Sequence, residues 1–158
     1  MTYLTTKLGE SPVIVEGIYN VSAASAFEAW TNPNEITEWF GASPNSMERA
    51  EIDLTLGGTY RFIFEETKEK TIALEGEYLE IIPNEKLVFS WRHVVSSHGG
   101  QQTATEDSRV TLIFAETDGK TKITLNHENI NTKDGLLGVG NGWQATFESF
   151  NNIIAINN

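Results

Sequence analysis

The chain has 158 residues, 39% of them hydrophobic and 21% charged, and its 22 acidic and 11 basic side chains give a net charge of −11. A surface so acidic repels phosphate, which argues against nucleic acid as a partner and against insertion into anionic membranes. There is no cysteine, so disulfides, thiolate catalysis and thiolate-bound zinc are excluded.

The length fits one domain, residues 1–158. Met1 to Glu10 holds no long apolar run and does not read as a signal peptide, and no stretch is long enough to span a bilayer, so a cytoplasmic protein is expected. The first predicted strand is Val13 to Tyr19. Ser22 then reads as an N-cap ahead of Ala23, Ala26, Phe27 and Trp30 at helical spacing. Asn32-Pro33-Asn34-Glu35 predicts a second helix start: Asn32 as cap, Pro33 at the first helical position, and Glu35 reaching back to complete a capping box. That helix carries Ile36, Trp39 and Phe40 and stops at Gly41.

Six strand-like segments follow: Met47–Leu54, Thr59–Glu65, Thr71–Ile82, Lys86–Val94, Ser108–Glu116 and Thr121–His127. Tyr60, Phe62 and Phe64 alternate with Arg61, Ile63 and Glu65. Leu87, Phe89 and Trp91 alternate with Val88, Ser90 and Arg92, and Val110, Leu112 and Phe114 with Thr111 and Ile113. Such period-two patterns suit antiparallel strands with one buried face. Gly57-Gly58, Pro83-Asn84 and Asp118-Gly119 mark turns, the last a strong hairpin signal. Ser96 to Asp107 reads as a polar loop. The chain closes with Leu136, Val139, Trp143, Phe147, Phe150 and Ile154 on one helical stripe. Gly135, Gly138, Gly140 and Gly142 weaken its start, so the helix is predicted from Gly142 to Ile156. Helices set apart from an antiparallel meander define an α+β class, with the sheet curved enough to hold the long helix.

Several words in this order resemble the Activator of Hsp90 ATPase homologue 1-like family of the START-like superfamily. They are Phe27-Glu28-Ala29-Trp30-Thr31-Asn32-Pro33, Trp39-Phe40, Asp53 with Gly57-Gly58-Thr59-Tyr60-Arg61-Phe62, and Gly76-Glu77-Tyr78-Leu79-Glu80-Ile81. After these come Pro83-Asn84-Glu85-Lys86-Leu87-Val88-Phe89-Ser90-Trp91, Ser108-Arg109-Val110-Thr111, Leu125-Asn126-His127 and Gly142-Trp143. The family often has a basic residue between the aspartate and the Gly-Gly pair, where Thr55 stands here. The resemblance implies a helix-grip fold in β-α-α-β6-α order, a curved antiparallel sheet wrapped round the C-terminal helix. It also implies a cavity between sheet and helix, usually without a metal. Many such domains bind a hydrophobic small molecule, and members of this fold often pair through the sheet, so a homodimer is one expectation.

On the implied fold Trp39, Phe62, Phe64, Tyr78, Phe89, Trp91, Trp143 and Phe147 face inward, either lining a small-molecule site or filling a core. His127, at a strand end beside Glu128, is read as a proton donor or ligand-orienting group, or as a buried histidine satisfied by a neighbour's carbonyl. Glu75 and Glu77 share one strand face, read as solvated, and the alternation breaks near Glu80. Arg61 and Arg92 are placed towards water. Arg109 is open, and inward it would pair with a ligand carboxylate. No nucleophile motif, phosphate loop or dinucleotide fingerprint is present, so no catalytic residue and no cofactor is assigned. Three scattered histidines make a poor metal site. The leading expectation is a hydrophobic or amphipathic small molecule bound between sheet and helix. The alternatives are an Hsp90-type co-chaperone or interaction module, and a cyclase- or hydrolase-like enzyme working in the same cavity.

Overall fold

A computed structural model describes residues 2–157. Nine strands and three helices follow in chain order: β1 (Thr2–Leu4), β2 (Val13–Tyr19), α1 (Ala23–Thr31), α2 (Pro33–Trp39), β3 (Arg49–Ile52), β4 (Thr59–Glu66), β5 (Lys70–Ile82), β6 (Lys86–Ser97), β7 (Gln102–Ala104), β8 (Ser108–Thr117), β9 (Lys120–Glu128) and α3 (Lys133–Asn157). The strands join in the order β1-β2-β9-β8-β6-β5-β4-β3, every pairing antiparallel, with the short β7 added to the far end of β6. The sheet is curved and unclosed, and α3 lies in its hollow: a helix-grip fold.

Local chemistry accounts for the elements. Ser22 caps α1 by accepting from the Ser25 amide at 3.1 Å. Asn32 ends α1 and starts α2, accepting from the Asn34 amide at 2.9 Å with Pro33 in the first turn. The expected capping box does not close, because the Asn32 amide already donates to the Glu28 carbonyl at 2.8 Å. Glu35 lies against Glu28 instead, and burial together with the Glu28 and Glu38 carboxylates raises its carboxyl above the usual range. Asp118 and Gly119 both have positive φ (53° and 78°), which is what a two-residue hairpin turn asks of them.

Curvature enters through bulges. Register shifts between Ile63 and Glu65 on the β4/β5 pair, and between Tyr78 and Glu80 on the β5/β6 pair. The second shift falls where the sequence alternation breaks, and it leaves Glu80 beside Lys86 at 3.3 Å. Inward residues of β8 and β9, among them Val110, Leu112, Ile123 and Leu125, are fully buried in the same core as the inward residues of α1 and α3.

Three elements depart from the sequence reading: the start of α3, β7, and β1, which adds to the edge of β2. α3 begins at Lys133, nine residues before the predicted start, because Thr132 supplies a cap: its hydroxyl accepts from the Gly135 amide at 2.9 Å and its carbonyl from the Leu136 amide at 3.0 Å. The polar Ser96–Asp107 segment holds β7, with Thr103 opposite Val95. No helix among the described residues is long and apolar enough to cross a membrane.

Candidate ligand-binding cavity

Between the hollow of the sheet and the first half of α3 lies an open cavity of about 780 Å³. Its apolar wall comes from Phe40 after α2, Phe64 on β4, Ile72 and Leu74 on β5, Trp91 on β6 and Trp143 on α3. The helix side is unusual. Gly138 and Gly142, one turn apart, face the space with bare backbone, and a Cβ built on either would meet nothing within 4 Å. Gly138 and Gly142, two of the glycines that weaken the helix start, therefore keep the cavity open. The polar groups of the rim are Thr105 and Glu106 ahead of β8 and Asn129, Asn131 and Thr132 between β9 and α3, with Ile130 among them packed on the core. The Asn131 side-chain amide donates to the Glu106 carboxylate and ties these two loops together.

Behind the wall sits a buried chain of hydrogen bonds that ends on the Trp91 carbonyl. His127 is fully buried, with Trp143 Nε1 donating to its Nδ1 at 2.9 Å and its Nε2 2.7 Å from Ser108 Oγ. An indole nitrogen only donates, so Nδ1 must be bare and Nε2 must carry the proton. His127 then donates to Ser108, and Ser108 passes its own hydrogen to the Trp91 carbonyl at 3.3 Å. Burial pushes the His127 imidazole down to about 3, which keeps it neutral. Trp91 and Trp143, with ring centroids 4.9 Å apart, are thus fixed as one corner of the cavity. Ser108 reaches the cavity surface, but it faces a histidine proton rather than a histidine lone pair. The arrangement positions a wall and does not activate a nucleophile.

Comparison with known proteins agrees with this architecture. The family model described as "Activator of Hsp90 ATPase homolog 1-like protein" matches residues 20–155. The chain belongs to that family. Among solved structures, a protein from Rhodobacter sphaeroides superposes with a TM-score of 0.73 at 16% identity, covering 99% of each chain. An AHSA1 protein from Silicibacter pomeroyi gives 0.74 at 16% identity, covering 94% of this chain and 100% of its own. CalU16 from Micromonospora echinospora gives 0.65 at 23% identity, covering 98% of this chain and 84% of its own. At these identities the likeness is one of fold. No curated protein matches the chain.

Within this activator-homologue fold the predicted site residues separate into two groups. Phe64, Trp91 and Trp143 line the cavity. Phe62, Tyr78 and Phe89 pack with Trp30, Tyr60 and Leu87 under α1 and α2, around a gap of only about 10 Å³, at the limit for one water. Trp39 donates from Nε1 to the Ala29 carbonyl at 3.2 Å and packs at a tilt against Phe150, and the buried Phe147 meets Trp30 and Tyr19. His127 stands one layer behind the wall. Phe40 borders both the open cavity and the closed gap and divides them. Arg109 points out beside Glu128 at 3.9 Å, away from the cavity. Arg61 and Arg92 are both on Glu75, at 3.3 and 3.2 Å, on the other face of the sheet. Thr55, at the family's basic position, sits in the β3–β4 turn with its hydroxyl on Asp53 at 3.1 Å and takes no part in the cavity. Among the described residues no group of three or more His, Asp or Glu is placed to hold a metal ion.

Sequence reasoning missed Phe40, Ile72, Leu74, the polar rim and the helix glycines as cavity residues. One signal was legible for the last of these: Gly135, Gly138 and Gly142 recur at helical spacing, which marks one face of a helix.

Proposed function

We propose that this protein binds a hydrophobic or amphipathic small molecule in the cavity between the sheet and α3. The observation that carries the reading is the cavity itself. At about 780 Å³ it falls in the range of small-molecule sites, with an apolar interior and a few polar groups gathered at its mouth. The hydrogen-bonded corner of Trp91, Ser108, His127 and Trp143 supports it, because a preformed wall lowers the ordering cost of binding.

Native and denaturing mass spectrometry of the purified protein tests the reading. The expected result is a bound small molecule that is lost on denaturation and absent from Gly138→Leu. That variant points a side chain into space where a Cβ meets nothing, and it replaces glycine with a better helix former, so folding is retained. A species that survives in Gly138→Leu lies elsewhere and contradicts the reading.

A further inference from the structure

The cavity's polar groups carry information about charge. Its lining contains no lysine and no arginine. Its one carboxylate, Glu106, stands at the rim on the loop that precedes β8, and its partner there is the neutral amide of Asn131. The remaining rim groups are hydroxyls and amides, Thr105, Asn129 and Thr132, with the imidazole of His93 at the edge. Arg109, the basic residue that an inward turn would have aimed at a ligand carboxylate, is outside the cavity. The whole molecule adds a field of the same sign, at a net charge of −11.

An amphiphile with its apolar body against Phe64, Trp91 and Trp143 has its head group at this rim. A carboxylate or phosphate head would give up water there and find no cation in exchange, while facing Glu106 and the protein's overall field. An ammonium head would exchange water for the Glu106 carboxylate and the side-chain oxygens of Asn129, Asn131 and Thr132. Displacing Asn131 from Glu106 costs one neutral-to-charged hydrogen bond and gains one between full charges.

From this we infer that the cavity selects lipophilic amines in their protonated form and discriminates against anionic amphiphiles of the same body, with Glu106 as the residue that sets the preference. The inference rests on the binding reading above.

Three matched pyrenyl compounds test it: 1-pyrenylmethylamine, 1-pyrenylmethanol and 1-pyrenecarboxylate, titrated at neutral pH and followed by pyrene emission. The amine is expected to bind about tenfold more tightly than the carboxylate, with the alcohol between them, and added salt should narrow the gap. Glu106→Gln keeps a hydrogen-bonding partner for Asn131 but removes the charge, and it should bring the ratio to about threefold or less. Glu85→Gln, an equal change of net charge in the β5–β6 turn away from the cavity, should leave the ratio as in the wild type. If the alcohol binds but the carboxylate equals or exceeds the amine, or if Glu106→Gln leaves the ratio unchanged, the charge preference is wrong and the cavity reading stands. If none of the three binds, both fail.

Discussion

Trp143 can only donate through its indole nitrogen, and this single constraint sets the proton on His127 and the direction of the bonds that follow it. On the acid side, stability then depends on pH through this buried imidazole. Burial lowers the folded-state His127 from 6.5 to about 3. Between those values the unfolded chain binds a proton that the folded chain refuses. The folded state is therefore at full advantage above pH 6.5 and loses stability as pH falls towards 3, by on the order of 4–5 kcal/mol across the window. His127→Asn keeps an acceptor for Trp143 but cannot titrate. Urea unfolding at neutral pH and near pH 4 should show the wild type losing about 3 kcal/mol more than the variant. Parallel losses would mean that the histidine is not held neutral. The same assignment makes Ser108 unreactive, so a fluorophosphonate reagent should leave it unlabelled, and stoichiometric labelling at Ser108 would overturn the proton order. The burial of His127 was legible from sequence as one of two readings, with a neighbour's carbonyl as the expected partner. Its partners were not, because Trp143 and Ser108 come from a helix and a strand that only the fold brings together.

At the scale of elements, α3 shows how a local penalty and a tertiary role can share the same residues. Four glycines in its first half would each cost up to about 1 kcal/mol relative to alanine. Thr132 caps the start, and the wall of the cavity needs the space. Gly142→Ala should raise stability by about 0.5–1 kcal/mol, since its Cβ meets open space. Gly135→Ala should not, because its Cβ would lie 2.7 Å from the capping Thr132 Oγ1, and Gly140→Ala should gain less than Gly142→Ala, because the exposed Leu8 side chain, with Cδ2 at 3.0 Å, must first give way. Thermal denaturation of the three variants separates these outcomes, and an equal gain in all of them would contradict the packing described. Gly76 on β5 is the opposite case. A Cβ there would lie 1.9 Å from the Ser90 carbonyl oxygen, which also accepts from the Tyr60 hydroxyl at 2.6 Å. Gly76→Ala should cost about 3 kcal/mol or more, with a near-neutral effect as the contrary result.

Strands with strict alternation, such as Val110 to Phe114, and turns with clear chemistry, such as Asp118-Gly119, were legible in the sequence because local and tertiary demands agree there. The start of α3 was not, since helix propensity argues against it and one threonine cap decides it. β1 and β7 are three residues each and carry no periodicity.

For the whole molecule, the curved sheet buries two sets of aromatics that the sequence cannot tell apart. Both alternate inward. Phe62, Tyr78 and Phe89 fall under α1 and α2 and are packed, while Phe64 and Trp91 lie further round the sheet, where glycines replace side chains on the helix opposite. Periodicity reports which face of a strand turns inward, and it is silent on whether something fills the space beyond. The rim residues, Glu106 and Asn129 to Thr132, lie in connections without a repeating pattern, so the alternation that revealed the strands gave no access to them.

The most direct test of the account is a fluorescence titration of 1-pyrenylmethanol, a neutral ligand indifferent to the charge preference, against the wild type and Gly138→Leu. Saturable one-to-one binding to the wild type is expected, with at least a tenfold weakening in the variant, whose melting temperature is unchanged or higher. Equal binding to both proteins would place the ligand outside the cavity and contradict the central claim.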